Sequence, residues 1–164
     1  MSRPPLGAWR RCLPLVLACA VATPNAAAQA VLAVSASDGA KMVELPLEEG
    51  QSWCLLWNHS VAGFTVRDCF VWQSPHLRLQ SSHQPDFAAG LGHFQGRGQM
   101  RVADEGGYLI DCIDEKLPDN RLILRVGART VDHRIKIGDQ IISLSERAAG
   151  ERVGIQVVVQ ATAN

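Results

Sequence analysis

The sequence has no surplus of charge of either sign. Its 164 residues carry 16 Lys+Arg against 16 Asp+Glu, which excludes a protein that coats nucleic acid or acts as a polyanion. It has no internal repeat and no low-complexity segment, and beyond residue 22 no hydrophobic run approaches the roughly 20 residues that a membrane-spanning helix needs. Hydrophobic residues at 47% and charged residues at 20% sit near globular averages, so disorder, collagen and coiled coil are excluded too. The motifs of common enzymes are also missing: there is no G-x-S-x-G elbow, no H-E-x-x-H and no C-x-x-C. Gly90, Gly92, Gly96 and Gly98 do not make the G-x-G-x-x-G spacing and read as loop flexibility. His59 and Ser60 are adjacent in sequence, which on a strand turns them to opposite faces and argues against a Ser-His catalytic pair. The residues therefore specify no reaction, no cofactor and no metal. A metal site drawn together by folding from His59, Asp68, His83 and His133 stays open.

What the sequence does contain begins with a leader. Arg3, Arg10 and Arg11 precede an apolar run at 13–22, which Pro24 closes before the small residues of 26–30. This order is that of a cleaved secretory signal peptide, expected over 1–28, with two overlapping A-x-A sites that start the mature chain at Gln29 or Val31. The ten-residue run is too short for a stable membrane anchor. Cys19 lies inside it, a poor place for a lipid. Cleavage removes three basic residues and no acid, leaving 13 − 16 = −3 over 29–164, so no basic patch for nucleic acid or anionic lipid is expected. Of the five cysteines, Cys54, Cys69 and Cys112 remain, in a periplasmic or secreted setting that permits one bridge and one leftover thiol.

Residues 29–164 read as a single all-β domain. Short runs rich in Val, Ile, Leu and Trp recur between Gly, Pro, Asp and Ser, and no 3.6-residue apolar period lasts beyond two turns, which favours a compact antiparallel β-sandwich or barrel of short strands. Strands are expected near 31–35, 41–46, 52–59, 64–73, 76–81, 99–103, 107–112, 121–126, 131–137, 140–144 and 152–160. Residues 84–98 form the one long loop, and a short helical turn fits within 111–120.

The informative region is 51–73. Alternation puts Trp53, Leu55, Trp57 and His59 on one face of one strand, and Val66, Asp68, Phe70 and Trp72 on one face of the next. Two registers compete. Cys54 opposite Cys69 centres a two-residue turn on Val61 and Ala62, which are poor turn residues; a turn on Ala62 and Gly63 has better chemistry but sets Cys54 opposite Val71. A four-residue or bulged connection reconciles them. Hairpin proximity makes Cys54 with Cys69 the expected bridge, leaving Cys112 free, with Cys69 to Cys112 as the alternative. Asp68 sits among Trp and Phe and needs a partner: a backbone, Arg or indole group that serves folding, or His59 or an Arg lining a ligand pocket. His133, alternating with Val131 and Ile135, is a second candidate; His76, His83 and His93 are expected at strand ends or loops, in solvent.

Several short motifs occur in a fixed order: Trp57-Asn58-His59-Ser60-Val61, an acid at Asp68, an aromatic strand, Asp86-Phe87-Ala88-Ala89-Gly90-Leu91-Gly92, and a late Asp132-His133-Arg134-Ile135. Together these resemble DUF1850, a family of small exported bacterial proteins known as a domain of unknown function. The positions that match its pattern are His59, Ser60, Val61, Asp68, Phe87, Ala89, Gly90 and Leu91; the departures are Ala88 where the family tends to Gly and Gly92 where it tends to Pro. Members are often encoded beside TRAP transporters that use TAXI solute-binding proteins, so the resemblance implies an accessory role in periplasmic solute uptake, with the transporter or its TAXI protein as partner. Two functional readings follow. One is a binding or accessory module with His59, Ser60, Asp68, Phe87, Gly90 and His133 as its candidate site. The other is a small hydrolase or metal-dependent enzyme using His59 and Asp68, which requires those side chains to converge in one pocket.

Overall fold

The computed structural model describes residues 29–60, 62–85 and 96–160; the expected leader and the candidates Phe87 and Gly90 lie outside the described residues. Twelve strands follow one another along the chain: β1 (Gln29–Ala36), β2 (Lys41–Leu47), β3 (Ser52–Asn58), β4 (Thr65–Gln73), β5 (His76–Gln84), β6 (Gln99–Val102), β7 (Tyr108–Asp111), β8 (Glu115–Lys116), β9 (Arg121–Arg125), β10 (Arg134–Ile137), β11 (Gln140–Ser143) and β12 (Arg152–Gln160). A 3-10 turn covers Pro118–Asn120 and a single helical turn, α1, covers Ser145–Ala148.

The strands form two antiparallel sheets that pack face to face, and neither closes into a barrel. The smaller runs β2-β1-β12-β9; the larger runs β11-β10-β3-β4-β5-β7-β6, with β8 also against β5. Leu32 and Val34 of β1 and Val153 and Ile155 of β12 meet Trp53 and Leu55 of β3, Phe70 and Trp72 of β4 and Ile135 of β10 in one apolar core. Period-two alternation sends these residues inward. Trp53 and Phe70 stack with ring centroids 4.6 Å apart. Fully burying side chains of this size contributes roughly 1.5–3 kcal/mol each.

In the β3–β4 hairpin Cys54 stands opposite Cys69 and Asn58 opposite Thr65. The connection spans 60–63: His59 N–H donates to Phe64 O at 2.7 Å, and Gly63 N–H donates to His59 O at 3.0 Å. Gly63 closes it at φ +62, a left-handed conformation that glycine adopts without penalty. The longer connection keeps the cysteine register and still uses Gly63. Cys54 and Cys69 are disulfide-bonded with Cα atoms 4.0 Å apart, and Cys112 is free and exposed.

The β4–β5 pairing contains one irregularity. Phe70 pairs with Leu79 but Cys69 pairs with Ser81, so Gln80 is an extra residue bulged out of β5. Before it, Leu77 and Leu79 face the core; after it, Ser82 takes the inward position opposite Asp68, and His83 turns outward opposite Arg67. β5 therefore runs to Gln84, beyond the end expected at 81. Likewise β10 starts at Arg134, because the chain turns just before it, where the Val131 and Asp132 N–H groups both donate to Ala128 O.

Candidate functional site

His59 directly follows β3, and its side chain folds back on the connection it begins: Nδ1 accepts the Ala62 N–H at 3.2 Å. In the neutral ring this leaves Nε2 as the donor. Asn58 carries a second set of bonds. Its N–H donates to Val131 O at 2.7 Å, its Nδ2 to Thr130 O at 3.4 Å, and its Oδ1 accepts from Thr65 Oγ1 at 3.2 Å. These bonds draw the segment 127–133 against the end of β3 as an arm. Gly127 permits the fit, since a Cβ there would stand 2.7 Å from the Val131 Cβ. Between hairpin and arm lies a cavity of about 310 Å³ lined by Asn58, His59, Ser60, Gly63, Thr130 and Val131. Among the described residues, Ser60 Oγ and His59 Nε2 have no hydrogen-bond partner.

His133 stands behind this cavity as part of its frame. It is buried, with its ring stacked near Trp57 at a centroid distance of 6.0 Å. Its Nδ1 accepts the Gly127 N–H at 2.9 Å, and its own N–H donates to Ser145 Oγ at 2.9 Å. Ser145 Oγ in turn donates to Gly127 O at 2.9 Å. The Gly127 unit is thus held at both N and O. Burial pushes the imidazole below its ordinary value, and the neighbouring Asp132 carboxylate opposes that shift. Asp132 reaches Arg134 Nη1 at 2.6 Å and adopts φ +50, rare for a side-chain-bearing residue.

Asp68 belongs to a different place. It is buried on the inner face and accepts from Ser82 Oγ at 2.6 Å, while Gln84 Nε2 donates to Ser82 Oγ at 2.9 Å. Burial raises its carboxyl above the usual range; the Ser82 bond and the charge of Arg97 pull the other way. Arg97 is buried as well and donates from Nε to Glu115 Oε2 at 3.1 Å. No hydrogen bond or ion pair joins Asp68 to His59: Asp68 lies on the inner face of β4 as the alternation expects, whereas His59 lies past the end of β3 and its side chain turns back on the connection. His83, expected in solvent, is buried in the strand. Its Nε2 donates to Gly106 O at 2.7 Å, its Nδ1 lies 3.3 Å from Glu105 Oε1, and Phe64 meets its ring edge-on at 4.8 Å. Arg67, bonded to Glu105 at 2.7 Å, holds that carboxyl below its ordinary value, with its charge and then that of His83 adding to the effect.

The structure thus brings His59 and Ser60 into one cavity, sets His133 behind it and separates Asp68 from all three. Thr130 and Asn58 complete the cavity and were not singled out from the sequence, where polar residues in a turn are commonplace. Among the described residues no group of three or more His, Cys, Asp or Glu could hold a metal ion, and no helix is long and apolar enough to cross a membrane.

The family model for a domain of unknown function, DUF1850, matches residues 54–144, more than half of the chain. The chain belongs to DUF1850. The matched stretch contains the His59 hairpin except its first two residues, Ser52 and Trp53, together with the arm and His133, and it ends at Leu144, the residue before Ser145. No curated protein and no solved structure matches this DUF1850 chain.

Proposed function

We propose that this DUF1850 chain is an exported recognition module whose contact point is the cavity at the His59 turn. The observation that carries this reading is that cavity of about 310 Å³, in which a hydroxyl and a ring N–H stay unspent inside a frame fixed by hydrogen bonds from Asn58 and His133. Preformed polar groups in a concave site are what orient a ligand or an inserted partner residue. A hydrolase would need a base and an acid converging on one reacting atom, and His59 and Asp68 are engaged by different partners, which favours the binding reading. The leader over 1–28 delivers the chain, and the Cys54–Cys69 bridge suits an oxidising compartment. The partner in this reading is a TRAP transporter or its TAXI solute-binding protein, in keeping with the family resemblance.

The test combines His59→Asn with Ser60→Ala. Asparagine offers an acceptor where Nδ1 stood, so the bond from Ala62 N–H is kept while Nε2 is lost. At matched abundance, TRAP-dependent uptake and capture of the TAXI protein should fall at least tenfold, with the melting temperature little changed. Full uptake by the double variant defeats the reading. Recovery of the unprocessed chain in washed membranes would defeat the export step on its own.

A further inference from the structure

Overall charge balance gave no reason to expect a basic surface, but the fold builds one on the smaller sheet. β9 alternates Arg121, Ile123 and Arg125 on its exposed face, while Leu122 and Leu124 pack against the core. Arg125 pairs directly with Arg152 of β12. No ion pair among the described residues involves Arg121, Arg125 or Arg152, although the ion pairs of Lys41, Arg67, Arg78, Arg97, Arg101 and Arg134 are all present. Like charges placed directly opposite on adjacent strands are unfavourable, so the cross-strand arginines stand against the fold's own interest.

Arg121 is seated. Its guanidinium lies across Gly154 of β12, where a Cβ would come within 2.6 Å of Nη2. The sheet thus leaves out a side chain at an interior position of β12, and the arginine lies flat in the space. That seat lies on the β12 side of β9, and the long arginine stem lets the guanidinium swing from it toward an anion on the open side. β9 is also the end strand of its sheet, pairing only with β12 among the described residues, so apart from the Arg121 N–H, which donates to Pro118 O, its outer row of backbone N–H and C=O groups is open among those residues. Ile123 is 50% exposed between the two arginines, which lie about 13 Å apart along the strand.

We propose that β9 is a docking edge for an extended acidic segment of a partner protein, which adds as a fifth strand to the smaller sheet. Backbone pairing supplies the affinity and fixes register. Carboxylates on alternate residues of the incoming strand sit over Arg121 and Arg125, an apolar side chain covers Ile123, and Arg152 reinforces the field from behind. One feature favours a protein strand over an anionic bilayer: the arginines follow strand periodicity on an open edge, where a backbone can pair and a lipid headgroup cannot. This surface lies on the smaller sheet, apart from the His59 cavity that the larger sheet and the arm build, and it stands whether or not that cavity binds anything.

The probe is a fluorescently labelled nonapeptide alternating glutamate with threonine and valine, titrated against the exported chain by anisotropy. A version with lysine in place of glutamate and vesicles of phosphatidylglycerol serve as the other arms. The glutamate peptide should bind at least tenfold more tightly than the lysine version, weaken as salt is raised, and protect the β9 amides from hydrogen exchange. Arg121→Ser with Arg125→Ser should weaken binding at least tenfold with the melting temperature kept. Arg152→Glu should weaken binding too, while raising the melting temperature by relieving the clash with Arg125. Equal affinity for the two peptides, no binding at millimolar peptide, binding without protection of β9, or binding only to vesicles would each overturn the proposal.

Discussion

Replacing Ser145 by alanine tests whether its hydroxyl holds the arm beside the His59 turn. Ser145 is 1% exposed, and its hydroxyl serves two backbone groups at 2.9 Å each, accepting from His133 N–H and donating to Gly127 O. Alanine removes almost no volume, so cavity and transfer effects are small and the loss is one of hydrogen bonding. A stranded buried N–H costs about 1–3 kcal/mol and the partly buried carbonyl about 1 more, giving roughly 2–4 kcal/mol. For a chain of this size that is a fall in melting temperature of about 6–16 °C. Thermal and urea unfolding followed by circular dichroism measure it. The same unit is gripped by His133 Nδ1, so Ser145→Ala and His133→Ala should be non-additive, with a coupling of at least about 0.5 kcal/mol in a double-mutant cycle. A loss below about 0.5 kcal/mol, or strict additivity, would refute the claim that these two residues act as one clasp.

Three further outcomes follow from the buried groups and the bridge. Reducing Cys54–Cys69, which closes a separation of 15 residues, should cost on the order of 3 kcal/mol in the chain-entropy model; an unchanged urea midpoint after reduction, with three free thiols confirmed, contradicts it. His133 has a folded value below its ordinary 6.5, so as pH falls the unfolded chain takes up the proton first. The stability tied to His133 is complete above about 6.5 and drains as pH drops through that value toward the folded one; His133→Ala should abolish that slope in urea midpoints. Asp68 is moved the opposite way, above 3.8, so its contribution is present below 3.8 and is lost as pH rises through the folded value. Asp68→Asn, which keeps an acceptor for Ser82 and carries no charge to desolvate, should therefore raise the melting temperature at neutral pH and leave it unchanged in acid; a clear fall at neutral pH would show that Arg97 matters more than burial.

Much of the architecture could be read from local alternation, because Trp53, Leu55, Phe70 and Trp72 each point where a period of two sends them. The Cys54–Cys69 bridge was the expected one, since a hairpin brings that pair close in either register; the register itself stayed between two turns until the longer connection decided it. The surroundings of Asp68 were not. Its partners Ser82 and Arg97 lie 14 and 29 residues away, and Ser82 faces it only because β5 bulges, for which no glycine or proline gives a local signal. His83 was misplaced for the same reason: read as a strand end, it lies inside β5 against Glu105 and Gly106. The basic strip escaped notice because net charge sums over a surface and does not report which arginines share a face.

The bulge at Gln80 makes this central strand tolerant of a change that strands seldom survive. Losing one residue from an ordinary strand turns every later side chain to the wrong side of the sheet. Here the frame is already offset: with Gln80 deleted, Leu79 would still pair with Phe70, Ser81 with Cys69 and Ser82 with Asp68, now as an unbroken ladder. The deletion forfeits the bonds from Ile113 N–H to Gln80 O at 2.9 Å and from Ser52 Oγ to Gln80 Oε1 at 3.4 Å, the first at about 1–3 kcal/mol because Ile113 is buried, and should otherwise leave the inward and outward sets intact. Deleting Ser82 instead leaves the bulge in place and brings His83 into the position opposite Asp68. A chain lacking Gln80 should therefore fold and be exported where one lacking Ser82 does not, and a comparison of their soluble yields reads the length of β5 as two half-strands joined out of step.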